Sequence, residues 1–345
     1  MKVCVHCFND LELKRFIISN SVEKGKCDSC SNSIVSELLN VEELLDFFAE
    51  FIEIFENDES GTPLINIIQN DWNIFSEEKV CQNILSDLLV SLNSSLFNAN
   101  TKVCYVYDIE KSTLYWEMLK EDLKWKRRFL TDINGMIELG WDSFFGKQNT
   151  LSPSRPLYRA RLHFNGEKKP FSNKDMGSPP KRKSSSGRAN PQGIPFLYLS
   201  TDINTTLYET RAIYLDDVSI GEFRIKDNSK IIVVDFTEEE SPFLHMGNLP
   251  EYAKSKLLKK YISLDLSKPI RRFDSELEYI PTQFICEFIR YITGADGILF
   301  DSSLHKGGKN IVLFEQDKVE CISVAMHQVI KVEIEAKNIS FKKKH

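Results

Sequence analysis

The stretch GRANPQGIPFLYLSTDINTTLYE, residues 187–209, decides how the chain is read. Gly187, Pro191, Gly193 and Pro195 punctuate a turn-rich block that ends in an apolar run, Phe196-Leu197-Tyr198-Leu199-Ser200. That run predicts a short buried strand. Thr201 and Asp202 are suited to cap a helix over about 203–210, because a short oxygen-bearing side chain satisfies free amides of the first turn. Tyr198 then stands at a strand end and Glu209 two turns along the helix behind it, on the face it shares with Thr205.

Working outward, PLYRARLHF (156–164) predicts an apolar strand that carries Arg159 and Arg161. Downstream, IPTQFICEFIRYIT predicts an amphipathic helix closing at Gly294, and GILF (297–300) predicts a buried strand, with Ser302 and Ser303 after it. Buried strands are also expected at 231–236, 311–314 and 321–326, with an edge strand over 330–336. Strands with few helices and no regular βαβ alternation indicate an α+β fold. No G-x-G-x-x-G or G-x4-G-K-[ST] follows a strand, so a dinucleotide would not be held in the Rossmann manner.

The order of an early arginine on an apolar strand, a Tyr-x10-Glu pair and a serine after a late buried strand resembles the RES family, named for its arginine, glutamate and serine. The resemblance covers roughly residues 155–335, and its most specific part is the block from Gly187 to Glu209. It implies a fold like that of ADP-ribosyltransferases and an enzyme that consumes NAD, of a kind that acts as a toxin paired with an antitoxin. Matched residue by residue, Arg159 stands for the arginine, Glu209 for the glutamate and Ser302 for the serine. Arg161 and Ser303 compete with Arg159 and Ser302, and one sequence leaves that register open. Tyr198 and Arg188 would bind substrate, and Gln283 lies in a segment that recurs in the family. The chemistry is consistent with these types. Cleaving the nicotinamide–ribose bond builds positive charge on the sugar, which a carboxylate stabilises. A guanidinium fork suits the diphosphate, a tyrosine can stack on nicotinamide, and a serine hydroxyl can orient it. NAD glycohydrolase or phosphorylase is the expected activity. Transfer of ADP-ribose to a macromolecule, or a silent fold that only binds, are the alternatives.

Cys4, Cys7, Cys27 and Cys30 make two C-x2-C pairs nineteen residues apart. Each pair can turn two thiolates onto one ion, so a structural Zn²⁺ with no open coordination position is expected. His6 could substitute but is not needed. Cys81, Cys104, Cys286 and Cys321 are isolated and read as small buried hydrophobes.

Between the two ends the chain reads mainly as helix, as a small bundle. Apolar residues recur three and four apart in SIVSELLNVEELLDFFAEFIEIF (33–55) and helices fit 77–92 and 112–130, with Ser112 or Thr113 as a cap. This region resembles the non-catalytic, HEPN-like helical segment that precedes some RES domains, since the R-x4-H motif of HEPN ribonucleases is missing. Trp116 and Trp125 read as core residues. Residues 149–156 read as a linker. From Glu167 to Arg188 there are seven basic residues against two acids, a tract read as a mobile loop beside an anionic ligand or as plain solvated chain. The expected domains are a zinc ribbon (1–34), a HEPN-like bundle (35–148) and the RES domain (155–340).

A net charge of −6 disfavours a general nucleic-acid binder. No leader-like or spanning apolar run is present, so a cytoplasmic protein away from membranes is expected. A protein partner that inhibits or triggers the enzyme is expected, and homo-oligomerisation stays open. His163, His245, His305 and His327 show no partner in the sequence and read as structural.

Overall fold

The computed structural model describes residues 1–333 apart from 31, 33, 95, 97, 165, 167, 168, 239 and 270–275. Its internal contacts divide into two units, Met1–Leu139 with Glu238–Tyr261, and Gly140–Thr237 with Ile262–His345. Both are mixed α+β. No helix among the described residues is long and apolar enough to cross a membrane.

In the first unit β1 (Lys2–Cys4), β2 (Glu23–Gly25) and β3 (Ser36–Asn40) form an antiparallel sheet in the order β1-β3-β2. α1 (Leu11–Asn20) starts at Asp10, whose carboxylate accepts from the amides of Glu12 and Leu13, both at 3.0 Å. The single helix expected over 33–55 is a correction. Residues 38–40 pair with β1 and residues 36–38 with β2, and helical structure in this stretch begins only at Asn40, where Asn40 and Glu43 form a capping box. The continuous part is α2 (Leu45–Glu53), which buries Phe48, Phe51 and Ile52. Strand and helix bury the same apolar residues, so a spacing of three and four spans both. The turn-forming residues Asn57, Asp58, Gly61 and Pro63 lie inside β4 (Phe55–Pro63), which pairs with β5 (Lys102–Tyr105) and shifts register between Asn57 and Thr62.

α3 (Leu64–Ile67), α4 (Glu78–Ser91), α5 (Tyr107–Trp125) and α6 (Ile133–Glu138) complete that stretch. The helix expected over 77–92 coincides with α4. α5 starts more than a turn before the expected cap, so Ser112 is buried inside it. Trp116 is fully buried, but Trp125 is 65% exposed and is not a core residue. Phe243 packs on Phe48 and Phe51, with ring centroids 5.3 and 5.8 Å apart, which places this segment of the 238–261 excursion in the first unit's aromatic core.

The second unit is built on an eight-stranded sheet. Its strands are β6 (Asn149–Thr150), β7 (Leu157–Leu162), β8 (Leu197–Ser200), β9 (Asp217–Ile225), β10 (Ile232–Asp235), β11 (Gly297–Asp301), β12 (Lys309–Leu313) and β13 (Val319–Gln328). They run in the order β13-β9-β7-β8-β12-β11-β10-β6, antiparallel except for β10 with β11. α7 (Trp141–Phe144), α8 (Ile203–Glu209), α9 (Leu249–Ser267) and α10 (Ile280–Thr293) connect the strands, and the division between units cuts α9 after Tyr261. α10 closes on Gly294 at φ 65°, the left-handed conformation that glycine takes without strain. Two expectations fail locally. The supposed linker contributes β6, whose residues Asn149 and Thr150 pair with β10. Of the edge strand expected over 330–336, residues 330–333 have no regular structure and 334–336 lie outside the described residues.

One junction of this sheet positions the site. β7 and β9 share six paired residues, but β7 and β8 meet only at Tyr158 and Ser200. Beyond that pair the sheet parts. The amide of Ala160, freed from the ladder, donates to the Thr206 hydroxyl of α8 at 2.9 Å. A buried amide must find a partner, so α8 is drawn against the gap.

Candidate active site

The gap between β7 and β8 opens a cleft of ≈ 580 Å³, walled by Arg159, Arg188, Tyr198, Glu209, Arg211 and Asn310 among others. Arg159 comes from β7, Tyr198 from β8, Glu209 from the last position of α8 and Asn310 from β12. α8 is fixed at its start by Asp202, which accepts from the Thr205 amide at 2.9 Å and from its hydroxyl at 2.5 Å. At its end the chain leaves through Arg211 at φ 52°, a left-handed conformation rare for a residue with a side chain.

Glu209 is held from one side. Its Oε1 accepts from Ser302 Oγ at 2.7 Å and from Asn310 Nδ2 at 2.7 Å. Ser302 is in turn locked by weak bonds from the amides of Leu304 and His305, each at 3.2 Å, and Asn310 accepts from Ser200 Oγ at 3.0 Å. Oε2 takes no hydrogen bond among the described residues. The carboxylate is thereby oriented while one oxygen stays available to a ligand.

Arg159 donates to the carbonyl of Gly177 at 3.0 Å and has no carboxylate partner among the described residues. Burial first, and then the charge of Arg161, lower its pKa to about 10, so it remains a cation at neutral pH. A desolvated cation beside a second cation, facing a cleft, favours an anionic ligand.

The glycine-arginine block is clamped from behind. Tyr198 donates to Asn190 Oδ1 at 2.7 Å and accepts from the Ala189 amide at 3.1 Å, and burial raises its pKa. A Cβ on Gly187 would lie 2.7 Å from the Tyr198 hydroxyl and 2.6 Å from Asn190 Oδ1, so any larger residue there would push on the Tyr198–Asn190 pair. Gln283 donates to the carbonyls of Gly187 at 2.7 Å and Asn190 at 3.1 Å, and Thr282 donates to the carbonyl of Arg188 at 2.6 Å. Gln283 therefore positions the block. Arg188 lines the cleft while donating to the last carbonyls of α9, Leu266 at 3.0 Å and Ser267 at 2.9 Å.

The remaining expectations separate. Neither serine lines the cleft itself; Ser302 donates to Glu209 whereas Ser303 donates to the Ser267 carbonyl, so the serine at Glu209 is Ser302. Arg161 is exposed, donates to the Asp175 carbonyl and lines a neighbouring pocket. The basic tract, where described, is tied to the sheet. Asn173 donates to the Cys321 carbonyl at 3.0 Å, and the Ser178 amide donates to Gln316 at 2.7 Å. Three histidines have partners that the sequence did not reveal. The His305 ring meets Thr205 Oγ1 at 2.7 Å and stacks on Tyr208, His163 meets Ser219 Oγ at 2.8 Å, and His245 meets Glu240 at 3.2 Å. Asn310 was missed altogether. Its one signal is a polar residue opening an apolar strand, since a buried amide is kept where it has partners.

A second cluster lies in the first unit. The sulfurs of Cys4, Cys7, Cys27 and Cys30 all lie within 4.8 Å of one another, with Cys4–Cys30 at 3.6 Å and Cys7–Cys27 at 3.3 Å. Four thiolates at about 2.3 Å from one zinc ion would stand about 3.8 Å apart, so the donor set fits. The amides of Ser29 and Cys30 point at Cys27 Sγ, at 3.4 and 3.5 Å, as in a metal knuckle. Hydrogen bonds from the Cys4 and Cys7 thiols lower the pKa of Cys27 and raise theirs, that of Cys4 to about 12. His6 is exposed and outside the cluster. Cys81 and Cys286 are buried as expected, whereas Cys104 and Cys321 are only half-buried.

The residues that line the cleft fall within the segment matched by a known family. The RES domain family matches residues 156–333, just over half of the chain. No curated protein matches. Among solved structures the chain is similar to the crystal structure of the M. tuberculosis MbcT-MbcA toxin-antitoxin complex. The identity is 14%, over 52% of this chain and 86% of that one, with a TM-score of 0.30.

Proposed function

This chain belongs to the RES-domain family, and from that premise we propose that its cleft cleaves the N-glycosidic bond of NAD, as a glycohydrolase or a phosphorylase. The observation that carries the reading is the meeting of Glu209 and Arg159 on the walls of one cleft, with Ser302 donating to Glu209. Arg159, cationic and without an acidic partner among the described residues, binds the diphosphate, with Arg188 beside it. Tyr198 gives the nicotinamide ring a flat surface. As the C–N bond breaks, its electron pair leaves with nicotinamide and neutralises the pyridinium. Positive charge then gathers on the ribose against Glu209, whose carboxylate is already oriented by Ser302 and Asn310 and needs no rearrangement. Water, losing a proton, or inorganic phosphate completes the reaction at the anomeric carbon.

The four-cysteine cluster would hold a structural Zn²⁺ through Cys4, Cys7, Cys27 and Cys30, linking the turns at both ends of the small sheet. The first unit, or a separate protein, would keep a toxin-type activity in check.

Purified full-length chain incubated with NAD should release nicotinamide. Equimolar ADP-ribose identifies hydrolysis, a phosphorylated product formed only in phosphate buffer identifies phosphorolysis, and ADP-ribose on protein identifies the transferase alternative. Intact NAD in every buffer, with no fall in cellular NAD when the chain is expressed, would contradict the reading.

A further inference from the structure

Next to the cleft lies a second pocket, of ≈ 420 Å³, lined by Arg161, His163, Phe164 and Phe171, with Ala160 and Thr210 shared between the two. Its wall is a pile of flat groups. The His163 and Phe171 rings stack at 4.3 Å and 11°, and the Arg161 guanidinium lies 4.7 Å from the centre of the Phe171 ring. One buried side chain secures two of these groups. Ser219 Oγ accepts from the Phe171 amide at 3.0 Å and meets His163 Nε2 at 2.8 Å, and Ser219 has no exposed surface. Phe164, by contrast, is 87% exposed at the pocket edge, a large apolar ring left in water.

Arg159, Arg161 and His163 alternate on one face of the strand, and the His163 amide carries the ladder on by donating to Asp217 O at 2.9 Å. At about 3.3 Å per residue, His163 stands about 13 Å from Arg159. One strand thus presents a cation in the cleft, a second cation at the boundary and an aromatic group at the far end. A linear ligand with an anionic centre and a planar terminal ring fits that sequence of groups. Flat π faces and a guanidinium take a heteroaromatic base by stacking, whatever its hydrogen-bonding pattern.

We propose that this pocket seats the purine ring of the dinucleotide, which fixes the ligand's direction: nicotinamide riboside at Glu209, diphosphate along Arg159 and Arg161, adenine against His163, Phe164 and Phe171. The assignment rests on the reading of the cleft as an NAD site, but it is separable from turnover. The test measures binding of ADP-ribose and of ribose 5-phosphate, by calorimetry, to the full chain and to Phe164→Ala. Phe164 is exposed, so its removal leaves the fold intact. Phe164→Ala should weaken ADP-ribose about 5-fold or more and leave ribose 5-phosphate unchanged; His163→Ala should do the same where its melting temperature matches wild type. Equal affinity of wild type and Phe164→Ala for ADP-ribose overturns the subsite, as does a wild type that binds ADP-ribose no better than ribose 5-phosphate. If wild type releases nicotinamide and Phe164→Ala has the same KM for NAD, the subsite falls while the cleft reading stands. If ADP-ribose binding depends on Phe164 but NAD stays intact, the subsite stands and bond cleavage falls.

Discussion

The cysteine cluster draws its sulfurs from two turns, with Cys4 and Cys30 separated by 26 positions and α1 and β2 between them. The cleft draws Arg159 from β7, Glu209 from the end of α8 and Asn310 from β12, and the Glu209–Asn310 bond alone spans 101 positions. The first site depends on local spacing, so one ion could organise it. The second depends on the whole sheet being folded, including its single weak junction between β7 and β8. A local site should respond to its own ligands, and a non-local site to residues that never touch the ligand.

The largest effect is therefore expected at the cluster. If the cluster holds the proposed zinc, a chelator should release one metal ion per chain and erase hydrogen-exchange protection in β1 and β3, and Cys7→Ala should lack both. Structural zinc is worth about 10–16 kcal/mol in small modules. Full protection in metal-free protein would break the contrast, since the sheet would then not need the ion.

At the cleft the effects are smaller and separable. Arg159→Ala should raise KM for NAD about 10- to 100-fold, because a charge-assisted hydrogen bond contributes about 1.5–3 kcal/mol. Arg159→Lys should recover only part of it, since lysine lacks the planar fork. An unchanged KM would show that the diphosphate lies elsewhere. The smallest and most informative change is Gln283→Ala, outside the cleft wall. It strips the Gly187 and Asn190 carbonyls of a donor, which costs about 1–3 kcal/mol. The second unit should melt a few degrees lower, and NAD turnover should fall even at temperatures where the fold persists. If Gln283→Ala kept wild-type turnover, the cleft would be more local than its geometry indicates.

What could be read in the sequence follows the same division. The four cysteines, the Asp202 cap and the strand-to-helix passage from Tyr198 to Glu209 are set by neighbours within a few residues, and they appear where local rules place them. Asn310 was invisible because its importance comes from Glu209 and Ser200, which are far away in sequence. Ser302 and Ser303 are equivalent as letters; only the folded chain turns one to Glu209 and the other to the Ser267 carbonyl. Residues 36–40 were misread for a different reason. Leu38 and Val41 keep a helical spacing with Leu44 although a strand ends between them, because the same core covers both elements.

The central claim is tested most directly by nicotinamide release from NAD by Glu209→Gln alongside wild type. Glutamine keeps the shape and can still meet Ser302, but it removes the charge that faces the ribose. The rate should fall about 10²- to 10³-fold, with melting temperature and ADP-ribose affinity close to wild type. A Glu209→Gln chain that releases nicotinamide at the wild-type rate would contradict the account.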